Sequence, residues 1–413
     1  MSLPKANVSF VIPSIHDDLE LDCRLYYPRR TDGSVQSLGR AFAILAHPYA
    51  PLGGSYDDPV VGLAGSVLLQ YGYILATFNF RGASGSAGRT SWSGKAELAD
   101  YASVYGFMLC YIDALYRSQE GEGGCSDVSG TASTPPPLLV LGGYSYGAMV
   151  ASHLPSIEVV ADLFESPTAG SAESEIKLRA LDLSRDANAY LTVHNSSSTT
   201  LSPSGTGSGQ RQQGQSPGRA VTAGGYESDA ASRRVSRESS RRSVDGERFR
   251  QSMDKVRQKF RSRAQGQAGH IVESQSECER GPELAEKVLL RPSVAYVLIS
   301  PLLPPIAGFT TMFSTLRFTP RGRRTGPSPE EYHELRIHPC CCLFGSSDVF
   351  TADRKLQRWA QDLRSRSRSQ FTIVRVDTGH FWRERAALEQ LRQGLREWLR
   401  TLTPNHEDGN QQL

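Results

Sequence analysis

Residues 138–148 read LLVLGGYSYGA, and the fold turns on how this stretch is understood. Leu138–Gly142 is a short, continuous apolar run, the kind a parallel strand covered on both faces requires. It leads directly into Gly143-Tyr144-Ser145-Tyr146-Gly147, which matches the nucleophile-elbow pattern G-x-S-x-G, and a helix-like run opens at Ala148. The glycines matter physically, because a serine held in so tight a strand-to-helix turn leaves no room for a Cβ on either side. The competing reading is an ordinary serine in a Gly-rich turn. The strand–turn–helix setting outweighs it.

Similar apolar runs flank this one at Val8–Ile12, Leu19–Tyr27, Ala41–Ala46, Gly72–Phe78, Val294–Ser300, Pro339–Phe344 and Phe371–Val376. The first two alternate apolar and polar residues, as half-exposed antiparallel strands do, and the later ones are continuous. Helical periodicity lies between or after them at Pro59–Gln70, Ala96–Tyr116, Ala148–Leu154, Ala352–Leu363 and Arg383–Leu399. Asp58-Pro59 is a strong helix start, a capping side chain followed by a residue whose missing N–H costs nothing there. Eight strands alternating with helices predict an α/β architecture with a doubly wound, mostly parallel sheet.

Composition divides the 413-residue chain. Its 38% hydrophobic content is low for a chain packed throughout. The deficit falls on residues 195–285, a Ser, Gly, Gln and Arg-rich stretch with too little apolar surface to offset ordering entropy, which predicts a disordered insertion. The domain is thus expected in two parts, residues 1–194 and 286–402, with a flexible tail at 403–413. Gly121–Pro137 reads as a surface connection. Within the insertion, Phe249–Arg263 reads as a solvated charged segment, with a short basic amphipathic helix as the alternative.

The formal net charge of +3 hides a split: residues 201–264 carry 14 basic against 6 acidic side chains, leaving the remainder near −5. The basic character therefore belongs to one segment, and no nucleic-acid surface is indicated. The stretches Arg233-Arg234-Val235-Ser236 and Arg241-Arg242-Ser243 set serines beside paired arginines, an arrangement resembling sites of a basic-directed protein kinase. Ser236 and Ser243 are expected to be modified there. The N-terminal residues are too polar for a signal peptide, and no apolar run reaches the ~18 residues of a membrane helix. The seven cysteines, three of them consecutive at Cys340–Cys342, suggest small buried core residues in a reducing compartment, so a cytoplasmic location is expected. No C-x-x-C pair with partnering histidines supports a zinc site, and neither a metal nor an organic cofactor is called for.

A serine hydroxyl attacks only when a base takes its proton and an acid orients that base. In an elbow-containing sheet the partners follow in the order Ser, Asp/Glu, His, each just beyond the C-terminal end of a strand. Asp348 follows Cys340–Phe344 through Gly-Ser-Ser, and His380 follows Phe371–Val376 through Asp-Thr-Gly. His338 precedes its strand and belongs at the opposite edge, while His153 lies in the helix after the elbow. The run Val294–Ser300 ends in Pro-Leu-Leu-Pro-Pro without an acid. Asp377 is too close in sequence to His380 for easy side-chain geometry. The oxyanion of acyl transfer needs two backbone donors. One is expected from Tyr146, directly after the serine. The other is expected from the loop His47-Pro48-Tyr49-Ala50-Pro51-Leu52-Gly53-Gly54, where the prolines have no N–H and Tyr49 is favoured over Ala50. His47 reads as a structural brace of that loop.

His47–Val61, Phe78–Gly88, Gly143–Ala148, Gly345–Phe350 and Gly379–Trp382 together resemble small α/β-hydrolases related to bacterial carboxylesterase-like proteins and, more distantly, dienelactone hydrolases. The resemblance covers about residues 40–165 and 290–400. By position it implies Ser145 as nucleophile, Asp348 as acid and His380 as base. Dienelactone hydrolases use a cysteine nucleophile, so with serine here their substrate does not transfer. No sizeable lid domain is apparent, although Ala307–Arg317 is placed to cover the site. The expected activity is hydrolysis of an ester or thioester of a small to medium acyl substrate through an acyl-enzyme. A serine peptidase or amidase on the same residues is the nearest alternative, and a non-catalytic, phospho-regulated interaction protein is the second class.

Overall fold

In the computed structural model, residues 3–28, 40–122, 136–196, 288–304, 306–311, 316–318 and 331–402 are described. Residues 197–285 of the expected insertion, with Ser236, Ser243 and Phe249–Arg263, lie outside them, as do residues 123–135 of the surface connection and the tail at 403–413.

Eight strands form one sheet: β1 (Val8–Pro13), β2 (Glu20–Tyr26), β3 (Ala41–Ala46), β4 (Ile74–Phe78), β5 (Leu138–Tyr144), β6 (Ser293–Ile299), β7 (Cys340–Gly345) and β8 (Phe371–Val376). Their order is β1-β2-β4-β3-β5-β6-β7-β8. The hairpin partners β1 and β2 are antiparallel, β2 runs antiparallel to β4, and every pairing from β4 through β8 is parallel. This is the α/β-hydrolase arrangement. The burial of β1 and β2 alternates along most of each strand, while β3, β4 and β7 are buried almost throughout. Alternation thus marks the strands with one wet face, and continuity marks those covered twice.

Helices cover both faces. On one side lie α1 (Pro59–Gln70) and the C-terminal helix Arg385–Leu402, which buries Ala387, Leu391, Gly394, Leu395, Trp398 and Leu399 against the sheet. On the other lie α2 (Lys95–Glu122), α3 (Tyr146–Ala151), α4 (Ile157–Glu165) and α5 (Ala172–Ser196). The consecutive cysteines of β7 show the pleat directly: Cys340 and Cys342 enter the α2 side and Cys341 the α1 side. All three are fully buried free thiols, and burial drives their pKa up.

Among the described helices not anticipated from sequence, α4 and α5 are the longest. The buried stripe of α4 is Ile157, Val160, Ala161 and Phe164, only two turns long. That of α5 is Ala172, Ile176, Ala180, Leu183 and Ala187, spaced for a helix but built largely of alanine, so its hydropathy signal is weak. Helix α5 ends at Ser196.

Candidate active site

Ser145 lies between β5 and α3 with φ 57° and ψ −114°, a conformation non-glycine residues rarely adopt, and its N–H donates to the Ile299 carbonyl of β6 at 2.8 Å. The elbow is pressed against the end of β3. A Cβ on Gly147 would stand 2.6 Å from the carbonyl oxygens of both Ala46 and His47, and one on Gly143 would stand 2.8 Å from that of Ala46. Glycine is needed at both positions because backbone, which cannot yield, occupies the space.

Three side chains from three strand ends meet here. The Ser145 Oγ is 2.8 Å from His380 Nε2, and His380 Nδ1 is 2.7 Å from Asp348 Oδ2. Ser145, His380 and Asp348 are all buried. The other carboxylate oxygen of Asp348 accepts the N–H groups of Phe350 at 2.8 Å and Thr351 at 3.0 Å, which fixes the carboxylate plane. With Nδ1–H donating to the carboxylate, Nε2 is left as acceptor for the serine hydroxyl.

The rival residues lie elsewhere. Asp377 is exposed and accepts from Ser346 Oγ. His338 sits ahead of β7 beside Glu334, and His153 Nδ1 contacts the Met149 carbonyl. His47 is fully buried: Nε2 accepts the Phe80 N–H at 2.9 Å, Nδ1 lies 2.5 Å from the Pro48 carbonyl oxygen, and burial lowers its pKa to about 4. It ties the loop after β3 to the end of β4. In that loop Tyr49 borders the cleft, with its ring 5.0 Å from that of Tyr146. Among the described residues, neither the Tyr49 nor the Tyr146 N–H donates to another group.

The cleft in front of Ser145 measures about 230 Å³. Leu52, Leu302, Ile306, Phe350 and Phe381 give it apolar walls, and Asp58 enters it from the start of α1. Ile306, which opens the short helix Ile306–Thr310, lines the cleft; it stands one residue before the segment Ala307–Arg317 expected to cover the site, of which no described residue lines the cleft and residues 312–315 lie outside the described ones. Several partners of His380 were not anticipated from sequence. Phe350 and Phe381 pack edge-on against its ring at 4.6 and 5.5 Å, and the Tyr144 hydroxyl donates to its carbonyl at 2.8 Å. Their only sequence signal is adjacency to the three chemical residues. Among the described residues no group of His, Cys, Asp and Glu is placed to hold a metal ion, and no helix is long and apolar enough to cross a membrane.

No family model matches the chain, and no curated protein matches it in sequence. Solved structures do match. An α/β serine hydrolase without a lid from Xanthomonas campestris aligns at 15% identity over 98% of this chain and 99% of that one, with a TM-score of 0.41. An α/β serine hydrolase homologue from Coxiella burnetii aligns at 13% identity over 96% and 99%, with a TM-score of 0.38. An esterase from Pyrococcus furiosus aligns at 9% identity over 95% and 91%, with a TM-score of 0.40. The chain is similar in structure to α/β serine hydrolases and esterases. Its chemistry rests on its own residues.

Proposed function

We propose that this protein is a serine hydrolase that cleaves an ester or thioester of a small to medium acyl group through an acyl-enzyme on Ser145. The observation behind this reading is the unbroken chain from Ser145 Oγ through the His380 ring to the Asp348 carboxylate, at 2.8 and 2.7 Å. His380 Nε2 takes the hydroxyl proton as Oγ attacks the carbonyl carbon, and Asp348 holds the ring in the right tautomer and stabilises the imidazolium. The N–H groups of Tyr146 and Tyr49 receive the oxyanion. His380 then returns the proton to the leaving alcohol or thiol, and a water activated by the same nitrogen releases the acid. No cofactor enters this sequence.

Fluorophosphonate labelling tests the reading. A single adduct on Ser145, absent from Ser145→Ala, supports it, and wild-type protein that stays unlabelled or reacts elsewhere sinks it. A purely scaffolding protein predicts no adduct. Parallel assays with p-nitrophenyl esters, acyl thioesters and aminoacyl amides then separate esterase, thioesterase and amidase.

A further inference from the structure

Asp58 has two neighbourhoods. As the cap of α1, its Oδ1 accepts the N–H groups of Val60 at 2.8 Å and Val61 at 3.3 Å. Among the described residues its Oδ2 has no hydrogen-bond partner. The same side chain lines the cleft together with Ser145 and His380. Burial raises its carboxyl pKa, opposed by the two capping N–H groups and by the charge of His380 nearby. A capping carboxylate needs only one oxygen for the helix, so the other is left as the cleft's own charge. No lysine or arginine stands among the described residues that line this space.

An anionic substrate entering here would give up hydration, find no lysine or arginine among the described lining residues, and approach a carboxylate across a partly desolvated gap. A neutral apolar chain would meet Leu52, Leu302, Ile306, Phe350 and Phe381 and lose nothing. We propose that Asp58 sets the charge selectivity of the cleft, admitting esters that are neutral and apolar near the scissile bond and rejecting those carrying a carboxylate or phosphate there. This rests on Ser145 being the nucleophile, and the test keeps the two claims apart.

Two substrate pairs serve, each differing by one negative charge: p-nitrophenyl hexanoate against mono-p-nitrophenyl adipate, and phenyl acetate against 4-acetoxybenzoate. The first places the charge on the acyl side and the second on the alcohol side. Asp58→Asn keeps a side-chain oxygen for the cap, since asparagine serves as well as aspartate there. In this variant the anionic-to-neutral ratio of kcat/KM should rise about tenfold in at least one pair, the scale of one charge–charge interaction at several ångströms in a partly solvated site. In the wild type the same ratio should climb with added salt, and Asp58→Asn should lose that dependence. Turnover that persists in Ser145→Ala would overturn the nucleophile assignment. Ser145-dependent turnover with both ratios within twofold of wild type, in Asp58→Asn and in Asp58→Ser alike, would overturn the selectivity role and leave the nucleophile standing.

Discussion

The hydroxyl of Tyr144 donates to the carbonyl oxygen of His380 at 2.8 Å, and the two rings lie 5.6 Å apart at 30°. Tyr144 is the last residue of β5 and immediately precedes Ser145, so one strand end holds both the hydroxyl and the loop that carries the imidazole. The far side of that loop is fastened too, by the Trp382 indole N–H on Ser300 Oγ at 3.0 Å. His380 is therefore held through its own backbone carbonyl and by ring contacts as well as by Asp348.

Tyr144→Phe keeps the ring and removes the hydrogen bond. A net loss of about 1 kcal/mol at this position should lower kcat roughly fivefold with KM little changed. The pH–rate profile should move with kcat if Tyr144 positions the imidazole. An unchanged kcat and profile would reduce it to a space-filling residue.

Ser145→Ala should lower turnover about 10⁴-fold or more while the fold persists. Ser145→Gly should be equally inactive and yet more stable than the alanine variant by about 1 kcal/mol, because the positive φ strains any residue with a Cβ. Thermal melts of the two inactive variants check this, and equal Tm values would show that the elbow stores no strain.

The fold was largely legible because strand ends and chemistry coincide in this chain. The runs Ala41–Ala46, Pro59–Gln70 and Phe371–Val376 have the same limits in sequence and structure. β5 runs two residues further than its apolar run, since Gly143 pairs with Ala46 and Tyr144 with Ile299 in the ladder. Glycine and tyrosine carry little hydropathy signal there. Helix α5 was hidden by its alanines. At the site, Ser145, Asp348 and His380 could be picked out because each follows a strand on one edge of a parallel sheet. The cleft contacts of Asp58, Tyr144, Phe350 and Phe381 could not, because they arise where separate strand, helix and loop ends converge in space and leave no periodic trace.

Asp348→Asn should cost about 10⁴-fold in turnover. Both oxygens of Asp348 are in use, one by Phe350 and Thr351 N–H and one by His380. An amide offers only one acceptor oxygen, so either the backbone pair or the imidazole must face an NH₂ group. The exposed Asp377, bonded to Ser346, should tolerate Asn within about twofold, as surface substitutions usually do. If Asp377→Asn proves the damaging change, the acid has been assigned to the wrong carboxylate.

His47 makes the fold acid-sensitive in a definite window. Its folded pKa of about 4 lies below the ordinary histidine value near 6.5, because the ring is fully buried, which the Pro48 carbonyl beside Nδ1 opposes only in part. A buried neutral histidine contributes its full stability above the unfolded pKa, where neither state binds the proton. Between pH 6.5 and 4 the unfolded chain takes up a proton that the native state refuses, so stability falls as pH falls. From pH 7 to pH 5 the loss from this one residue is about 2 kcal/mol. In His47→Gln the titrating group is gone, so urea melts at the two pH values should show a drop smaller than the wild type's by about that amount. The remaining histidines are common to both proteins and cancel in the comparison. The variant should also be less stable at pH 7, since the Phe80 N–H loses its designed acceptor geometry, and less active, since the loop bearing Tyr49 is then tethered less firmly. Equal drops in the two proteins would mean that His47 is reached by solvent and titrates normally.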